Sequence, residues 1–357
     1  MSESPIMRVR LCIAAGCVAF FLLLLSSGRT PIWGDAILTS FAARSLVDHR
    51  TPDVPRDLRV DVIEGRDGRF YSKYSWVPIL LCVPPVLAER FLRSVKSGWV
   101  HRLAVGVSPS VRGGLVASGI AAIGLAFDIP PARLLLVSLL TLFSTPLWYY
   151  CRNYYSESAQ AVLLVWLFFA ALKARHSLVR PRGWLFLAGF LSGMALNTKL
   201  LLLGFAASFA VWYLVPFGRR KLSDLLLYGG LGFTPGLAAW LWLNALRYGS
   251  FFSMGYGAER DGSIGLSSPF WPGLYGLLFS SGKSIFVYAP LLLLSVWGSK
   301  RAYKRMGSAA FALVVPILLW VMVVVKWWDW SGDAAWGPRL IVPALPLMLL
   351  PLLFLGP

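Results

Sequence analysis

The sequence predicts an all-α polytopic membrane protein, and three observations predict it. Of 357 residues 57% are hydrophobic and only 14% charged, the mean hydropathy is +0.66, and apolar runs of helical length recur from end to end. A helix crosses a hydrocarbon core of about 30 Å in about 20 residues, so crossings fill the chain and no large soluble domain is expected. Charge is lopsided: 34 Lys and Arg stand against 16 Asp and Glu, with most cations in short segments between apolar runs. In a membrane protein this asymmetry reports orientation, because cytoplasmic loops retain Lys and Arg, and no nucleic-acid partner follows from it. Cys12, Cys17, Cys82 and Cys151 have neither disulfide nor metal spacing and read as packing residues.

Arg8 and Arg10 precede the first apolar run, 11–25. This run reads as an uncleaved helix with its N-terminus inside, because the Ser-Ser-Gly that follows is a poor cleavage site. The loops 173–182, 219–221 and 300–305 are rich in Lys and Arg, hold no carboxylate, and belong to the cytoplasmic side. Residues 183–216 would extend about 51 Å as one helix, too long for one crossing, so they form a hairpin. Its turn, Asn197-Thr198-Lys199, is the one place there that meets water, on the opposite face. The same alternation gives crossings over 224–246, 284–298, 309–325 and 340–355, with both termini inside. Before Lys173, four apolar candidates appear, 76–92, 113–127, 133–150 and 158–172, where parity permits an odd number. The first carries Pro78, Pro84 and Pro85, which break a helix, and the second is short and Gly-rich. The basic stretch 90–112 argues that the first crosses, while its prolines argue the reverse, so one of these two is interfacial or re-entrant. The expected product is a single domain over 1–357 with about ten to eleven membrane helices.

This alternation collects on the external face the first external loop, 28–75, the turn before Glu157, Lys199, and the loops 247–284 and 326–339. Asp35 opens a stretch in which Ile37, Leu38, Phe41, Ala42 and Leu46 recur near a helical period, an amphipathic juxtamembrane helix for which Asp35 also suits the N-cap. Asp67-Gly68 signals a turn before an extended segment bearing Tyr71, Lys73 and Tyr74. Glu157 begins an apolar helix, where a carboxylate also suits the helix dipole. Lys199 occupies a turn that needs no cation, and an anion beside it would explain the choice. Lys283 follows Ser-Ser-Gly without completing GxxxxGK[ST], so no nucleotide site follows, although such a turn can hold a phosphate oxygen. Residues 326–339 interleave Trp327, Trp328, Trp330 and Trp336 with Lys326, Asp329, Asp333 and Arg339; indoles stack on sugars and carboxylates accept from hydroxyls. His49, His101 and His176 form no ligand pattern, so no tightly held metal is expected.

With these residues on one face the chain resembles the GT-C glycosyltransferases, multi-helix enzymes that use polyprenyl-phosphate sugars. It is similar in particular to bacterial members like protein O-mannosyltransferases (glycosyltransferase family 39) and lipid A aminoarabinose transferase. The resemblance rests on Trp33-Gly-Asp35, Gly68-Arg-Phe-Tyr-Ser-Lys73-Tyr, Tyr154-Tyr-Ser-Glu157, Asn197-Thr-Lys199, Asn244-Ala-Leu-Arg-Tyr-Gly, Gly276 to Lys283 with Tyr288-Ala-Pro290, and Trp336-Gly-Pro-Arg339, in that order. It implies that Asp35 is the base of an inverting transfer, and that Lys73, Lys199, Lys283 and Arg339 stabilise the departing phosphate. Glu157, Tyr71, Trp330 and Asp333 would then serve sugar or acceptor. Ala36 stands where the family's usual pattern has a second acid, so a metal or sugar contact through that acid is not expected. The resemblance also favours 76–92 as the interfacial segment. It implies a bacterial inner-membrane location with the active site outside, and as partners the bilayer, a polyprenyl-phosphate sugar donor, and a lipid, glycan or protein acceptor. No cofactor is firmly implied, and a divalent cation stays open. The rival readings are a polyprenyl-linked lipid flippase or transporter, and a non-catalytic subunit of a glycan-export complex.

Overall fold

The computed structural model describes residues 5–27, 34–58, 62–92, 95, 98–177, 180–252 and 265–355; Trp33 and the 253–264 part of the 247–284 loop lie outside them. The chain runs through α1 (Pro5–Leu25), α2 (Asp35–His49), a hairpin of β1 (Val62–Glu64) and β2 (Phe70–Ser72), and α3 (Trp76–Phe91). Next come α4 (Gly98–Ala126), α5 (Pro131–Phe143), α6 (Leu147–Tyr150), α7 (Glu157–His176), α8 (Pro181–Leu196) and α9 (Leu203–Leu214). Helices α10 (Arg219–Asp224), α11 (Gly230–Tyr248), α12 (Phe270–Phe279), α13 (Ile285–Tyr288), α14 (Leu291–Met306), α15 (Ser308–Lys326) and α16 (Leu345–Met348) complete the described part.

Among the described residues five helical runs are long and apolar enough to cross a membrane: Ile6–Leu25, Gly98–Ala126, Glu157–His176, Arg219–Tyr248 and Ser308–Lys326. Shorter apolar helices cover Pro131–Phe143, Leu200–Leu214, Phe270–Phe279 and Arg339–Phe354. The last of these is a relay of 3-10 helix, α16 and 3-10 helix, because Pro343, Pro346 and Pro351 lack the N–H that a continuous ladder needs. Helix α7 is the centre of the bundle, with Leu164, Val165 and Phe168 fully buried among α4, α8, α9 and the final segment.

Close packing follows the small-residue mode of membrane helices. Gly114 of α4 lies against Gly16 of α1, where a Cβ would come within 2.8 Å of the Gly16 carbonyl oxygen, and Gly106 lies against Ser27. This order makes α4 antiparallel to α1. Helices α8 and α11 meet as closely: a Cβ on Gly189 would sit 2.0 Å from the Gly229 carbonyl oxygen.

Two sequence expectations need correction. Residues 90–112 and 113–127 are not a basic loop followed by a short span, since from Gly98 onward they form one helix, α4, of 29 residues, about 43 Å long. Arg112 is no loop cation: it is 4% exposed, and its two Nη groups donate to the carbonyls of Tyr155 at 2.9 Å and Asn153 at 2.7 Å. Because α4 returns along α1, the alternation closes with α3 outside the count. Helix α3 runs beside α2 in the same direction, joined to it by the Arg44–Glu89 and Arg90–Asp48 ion pairs and by Leu38, Ala42, Ile79, Cys82 and Val86 in a second, smaller core.

The second correction concerns the α8–α9 turn. Asn197 is 0% and Thr198 8% exposed, so this part of the turn meets protein and not water. Asn197 Nδ2 donates to the carbonyls of Gly193 and Gly236 at 3.0 and 2.7 Å, its Oδ1 accepts from Ser75 Oγ at 3.1 Å, and its carbonyl accepts from Val77 N at 3.2 Å. A buried turn must satisfy its polar groups internally, and one amide does so for three segments.

The bundle has two chemically distinct ends. At one, Arg8 pairs with Asp128 at 2.9 Å, Arg305 donates to the Phe127 carbonyl, and Phe127 meets Phe354 with ring centroids 5.6 Å apart. Asp35, Glu157, Lys199 and Arg339 gather at the other.

Candidate functional site

Gly34, at φ +54°, turns the chain into α2 and makes Asp35 its first residue. A left-handed φ suits glycine, which has no Cβ to clash. Asp35 does not cap its helix with its side chain; the carboxylate accepts instead from Arg339 Nη2 and from the Tyr74 hydroxyl. Glu157, first in α7 and 2% exposed, accepts from Arg339 Nε at 2.6 Å through Oε1, while Oε2 is buried without a partner. The Arg339 guanidinium lies 4.6 Å from the Tyr155 ring centroid, a stacked cation–π contact. One guanidinium thus bridges two carboxylates from distant parts of the chain. Burial by itself would raise the Asp35 pKa, but Arg339, the Tyr74 hydroxyl and nearby Lys73 outweigh it and hold the group below its usual 3.8.

The loop carrying Tyr155 and Glu157 is fixed from beneath. Arg112 holds the carbonyls of residues 153 and 155, Tyr155 N donates to Asn153 Oδ1 at 3.1 Å, and the Tyr154 hydroxyl reaches the Val105 carbonyl at 3.0 Å.

Beside the carboxylates opens a hollow whose lining, among the described residues, includes Lys73, Lys199 and Arg247 and no carboxylate. Leu196, Leu200 and Trp240 give it an apolar side. Tyr74 belongs to both places, lining the hollow while bonding Asp35. Arg247 donates to the carbonyls of Ser72 and Tyr74, both at 2.8 Å, and to Asn244 Oδ1 at 3.0 Å, which fixes the segment bearing Lys73. The Lys199 ammonium stands 6.0 Å from the Trp320 ring centroid. Its pKa is lowered by burial and by the like charges of Arg339 and Lys73, against the pull of Glu157 and Asp35.

The structure therefore brings together Asp35, Lys73, Glu157, Lys199 and Arg339. The other sequence candidates have different company. Lys283 Nζ donates to the carbonyls of Asp333 at 2.8 Å and Ala335 at 2.7 Å, fastening the Trp-rich loop. Burial lowers its pKa, with Asp329 and Asp333 opposing. Asp333, at φ +56° and exposed, donates its N–H to Asp329 Oδ1. Trp330 packs on Gly276 of α12, where a Cβ would come within 2.0 Å of the indole. Tyr71 is 1% exposed and its hydroxyl donates to Asp67 Oδ2 at 2.7 Å, inside the hairpin. The sequence pointed to Tyr74 and to the Asn244–Arg247 stretch without giving these residues a role, and Arg112 read only as part of a basic stretch. The signal for Asn244 and Arg247 was there: two polar residues three apart share one face of an apolar helix.

The donor set does not fit a divalent cation. Among the described residues no three His, Cys, Asp or Glu side chains come together, the two nearby carboxylates share Arg339, and Ala36 offers no oxygen.

No sequence-family profile and no curated protein matches the chain. Solved structures do. Similar to it is ArnT (lipid A aminoarabinose transferase) from Cupriavidus metallidurans bound to undecaprenyl phosphate, with TM-score 0.63 and 16% identity over 98% of this chain and 60% of that one. The apo state of that protein gives TM-score 0.58 and 19% identity over 96% and 58%. The Archaeoglobus fulgidus oligosaccharyltransferase in complex with Zn and sulfate gives TM-score 0.50 and 12% identity over 96% and 48%. The chain spans at most 60% of the length of these proteins. All are GT-C superfamily membrane proteins, and the GT-C fold is the fold of this chain.

Proposed function

We propose that the chain is a membrane glycosyltransferase that takes a sugar from a polyprenyl-phosphate-linked donor and passes it to an acceptor at the bundle end holding Asp35. The observation that carries the reading is the hollow of Lys73, Lys199 and Arg247, with an apolar side, opening next to an ionised carboxylate. The cations suit the donor phosphate, while Leu196, Leu200 and Trp240 suit the start of its lipid chain. The likeness to ArnT bound to undecaprenyl phosphate agrees with this donor class.

In the proposed step an acceptor hydroxyl or amine attacks the anomeric carbon from the side opposite the phosphate and inverts it. Asp35 accepts the proton that the nucleophile gives up. The bond from the anomeric carbon to the phosphate oxygen breaks, and its electron pair leaves on polyprenyl phosphate, which Lys73, Lys199 and Arg247 stabilise as the charge develops. Such a leaving group needs no general acid, so one base suffices, unlike the paired carboxylates of glycoside hydrolysis. Glu157 holds Arg339 and lines the approach of sugar or acceptor. Arg339 and Lys283 do not line the hollow and are assigned to architecture and not to the phosphate. The end bearing Arg8, Lys173 and Arg305 faces the cytoplasm by its positive charge, so the site opens on the external face of a bacterial inner membrane.

The test is transfer from a panel of radiolabelled polyprenyl-phosphate sugars by the purified chain in lipid discs. Expected is turnover by the wild type that Asp35→Asn abolishes while undecaprenyl-phosphate binding persists. Equal turnover by Asp35→Asn would end the reading, and retained lipid movement without sugar transfer would favour a flippase.

A further inference from the structure

Two carboxylates, one opening α2 and one opening α7, converge on a single side chain and use different N–H groups of it, Nη2 for Asp35 and Nε for Glu157. That side chain is seated, not swinging. It is 13% exposed, stacked on Tyr155 at 4.6 Å, and packed against Gly332, where a Cβ would come within 3.1 Å of its own Cβ. The next residue is pinned as well, since Trp320 Nε1 donates to the Leu340 carbonyl at 2.8 Å. Glu157 is almost wholly buried, and Oε2 has no other partner. A buried carboxylate requires a countercharge, and a pair of them requires one between them. Metal sites meet this need with a divalent ion, but here the carboxylate oxygens such an ion would take already face Arg339.

We propose that Arg339 is the resident cation of this carboxylate pair, holding Asp35 and Glu157 where a divalent ion would otherwise be required, so that transfer proceeds without a metal cofactor. A guanidinium suits this role because it is planar, always charged, and presents several donors in a fixed fork that can serve two carboxylates at once. Being tethered to the chain, it competes with any free ion at a high effective concentration. Arg339 is then a positioning residue, acting through the carboxylates it orients. The fold shared with the oligosaccharyltransferase solved with Zn and sulfate would here carry its cation in the covalent structure.

The catalytic half of this proposal rests on the transferase reading, but its ion-binding half does not. The experiment therefore has two arms on the full chain in lipid discs. In the first, Mn²⁺ is titrated and free ion followed by electron paramagnetic resonance. Expected is the same titration for wild type and Glu157→Gln; Mn²⁺ held by the wild type and lost in Glu157→Gln overturns the proposal, whether or not any sugar is transferred. In the second, transfer is measured after EDTA treatment. Expected is an unchanged wild-type rate, together with at least a tenfold loss in Arg339→Gln that added guanidinium ion recovers in part and Mn²⁺ does not. Inhibition by EDTA reversed by Mn²⁺, or an Arg339→Gln protein that guanidinium leaves unchanged, counts against it. Should Arg339→Gln fail to fold, Arg339→Lys keeps the charge without the fork, and EDTA-insensitive residual transfer is then the expected result. An absence of transfer by wild type from any donor defeats the transferase reading while the Mn²⁺ titration still decides the cation.

Discussion

Two neighbouring charge clusters at the same end of the bundle are built on opposite plans. In the Asp35–Arg339–Glu157 cluster acids and base satisfy one another within about one side-chain length, and the cation has its donors engaged. In the hollow of Lys73, Lys199 and Arg247 like charges gather, with no carboxylate among the described residues of that lining. The first cluster joins opposite charges directly; the second sets cations of one sign side by side, an arrangement that suits an arriving anion. The difference separates paired charges from gathered ones, and residue type does not reveal it, since both plans use arginine.

The comparison breaks most sharply at Asp35. Asp35→Asn removes the proposed proton acceptor and is expected to lower turnover by about two to four decades, read as a change in kcat with donor binding kept. Lys199→Met is expected to weaken binding of undecaprenyl phosphate and slow transfer by about two decades, the effect of losing one preorganised charge partner, measured by displacement of labelled lipid. Because burial lowers the Lys199 pKa, wild-type donor binding should also fade on the alkaline side before a free lysine's 10.5 is reached. Arg112→Met touches neither cluster but leaves the carbonyls of Asn153 and Tyr155 buried without donors. It is expected to cost about 1–3 kcal/mol for each, seen as a lower thermal midpoint in detergent.

The pH profile sharpens the same contrast. The depressed Asp35 pKa means that its ionised pairing is intact above the usual carboxylate value and is lost only as the pH falls through the folded value, below 3.8. The acid limb of kcat/KM from this group should therefore lie below pH 4, and Arg339→Gln should move it upward, since burial is then opposed mainly by Tyr74 and Lys73. Smallest of all, Lys283→Met is expected to change donor affinity less than about threefold, because its ammonium serves two loop carbonyls.

Much of the fold was legible because membrane physics leaves few choices. The length of 183–216 forced a hairpin, now α8 and α9, whereas the choice between 76–92 and 113–127 stayed open in the residues themselves until α4 was seen to return along α1. Other features were hidden for identifiable reasons. Arg112 looks like a loop cation in the sequence, and only tertiary structure supplies the carbonyls that allow an arginine inside a helix bundle. Asn197 looks like a residue for water, yet a buried turn needs the same amide for internal bonds. Within the site, the carboxylates and Lys73 and Lys199 could be picked out because polar groups are costly near a membrane. Which cation faces which anion could not: Lys283 and Lys199 each sit in a polar turn, and only the loop that folds back over Lys283 tells them apart.

Asn197 has a consequence for how two charges are held. Lys199 lies two residues beyond it, and Lys73 two residues before the Ser75 that it bonds, so an uncharged amide ties together the two segments that carry these ammonium groups. A change at position 197 would therefore alter the separation of two cations without altering either of them.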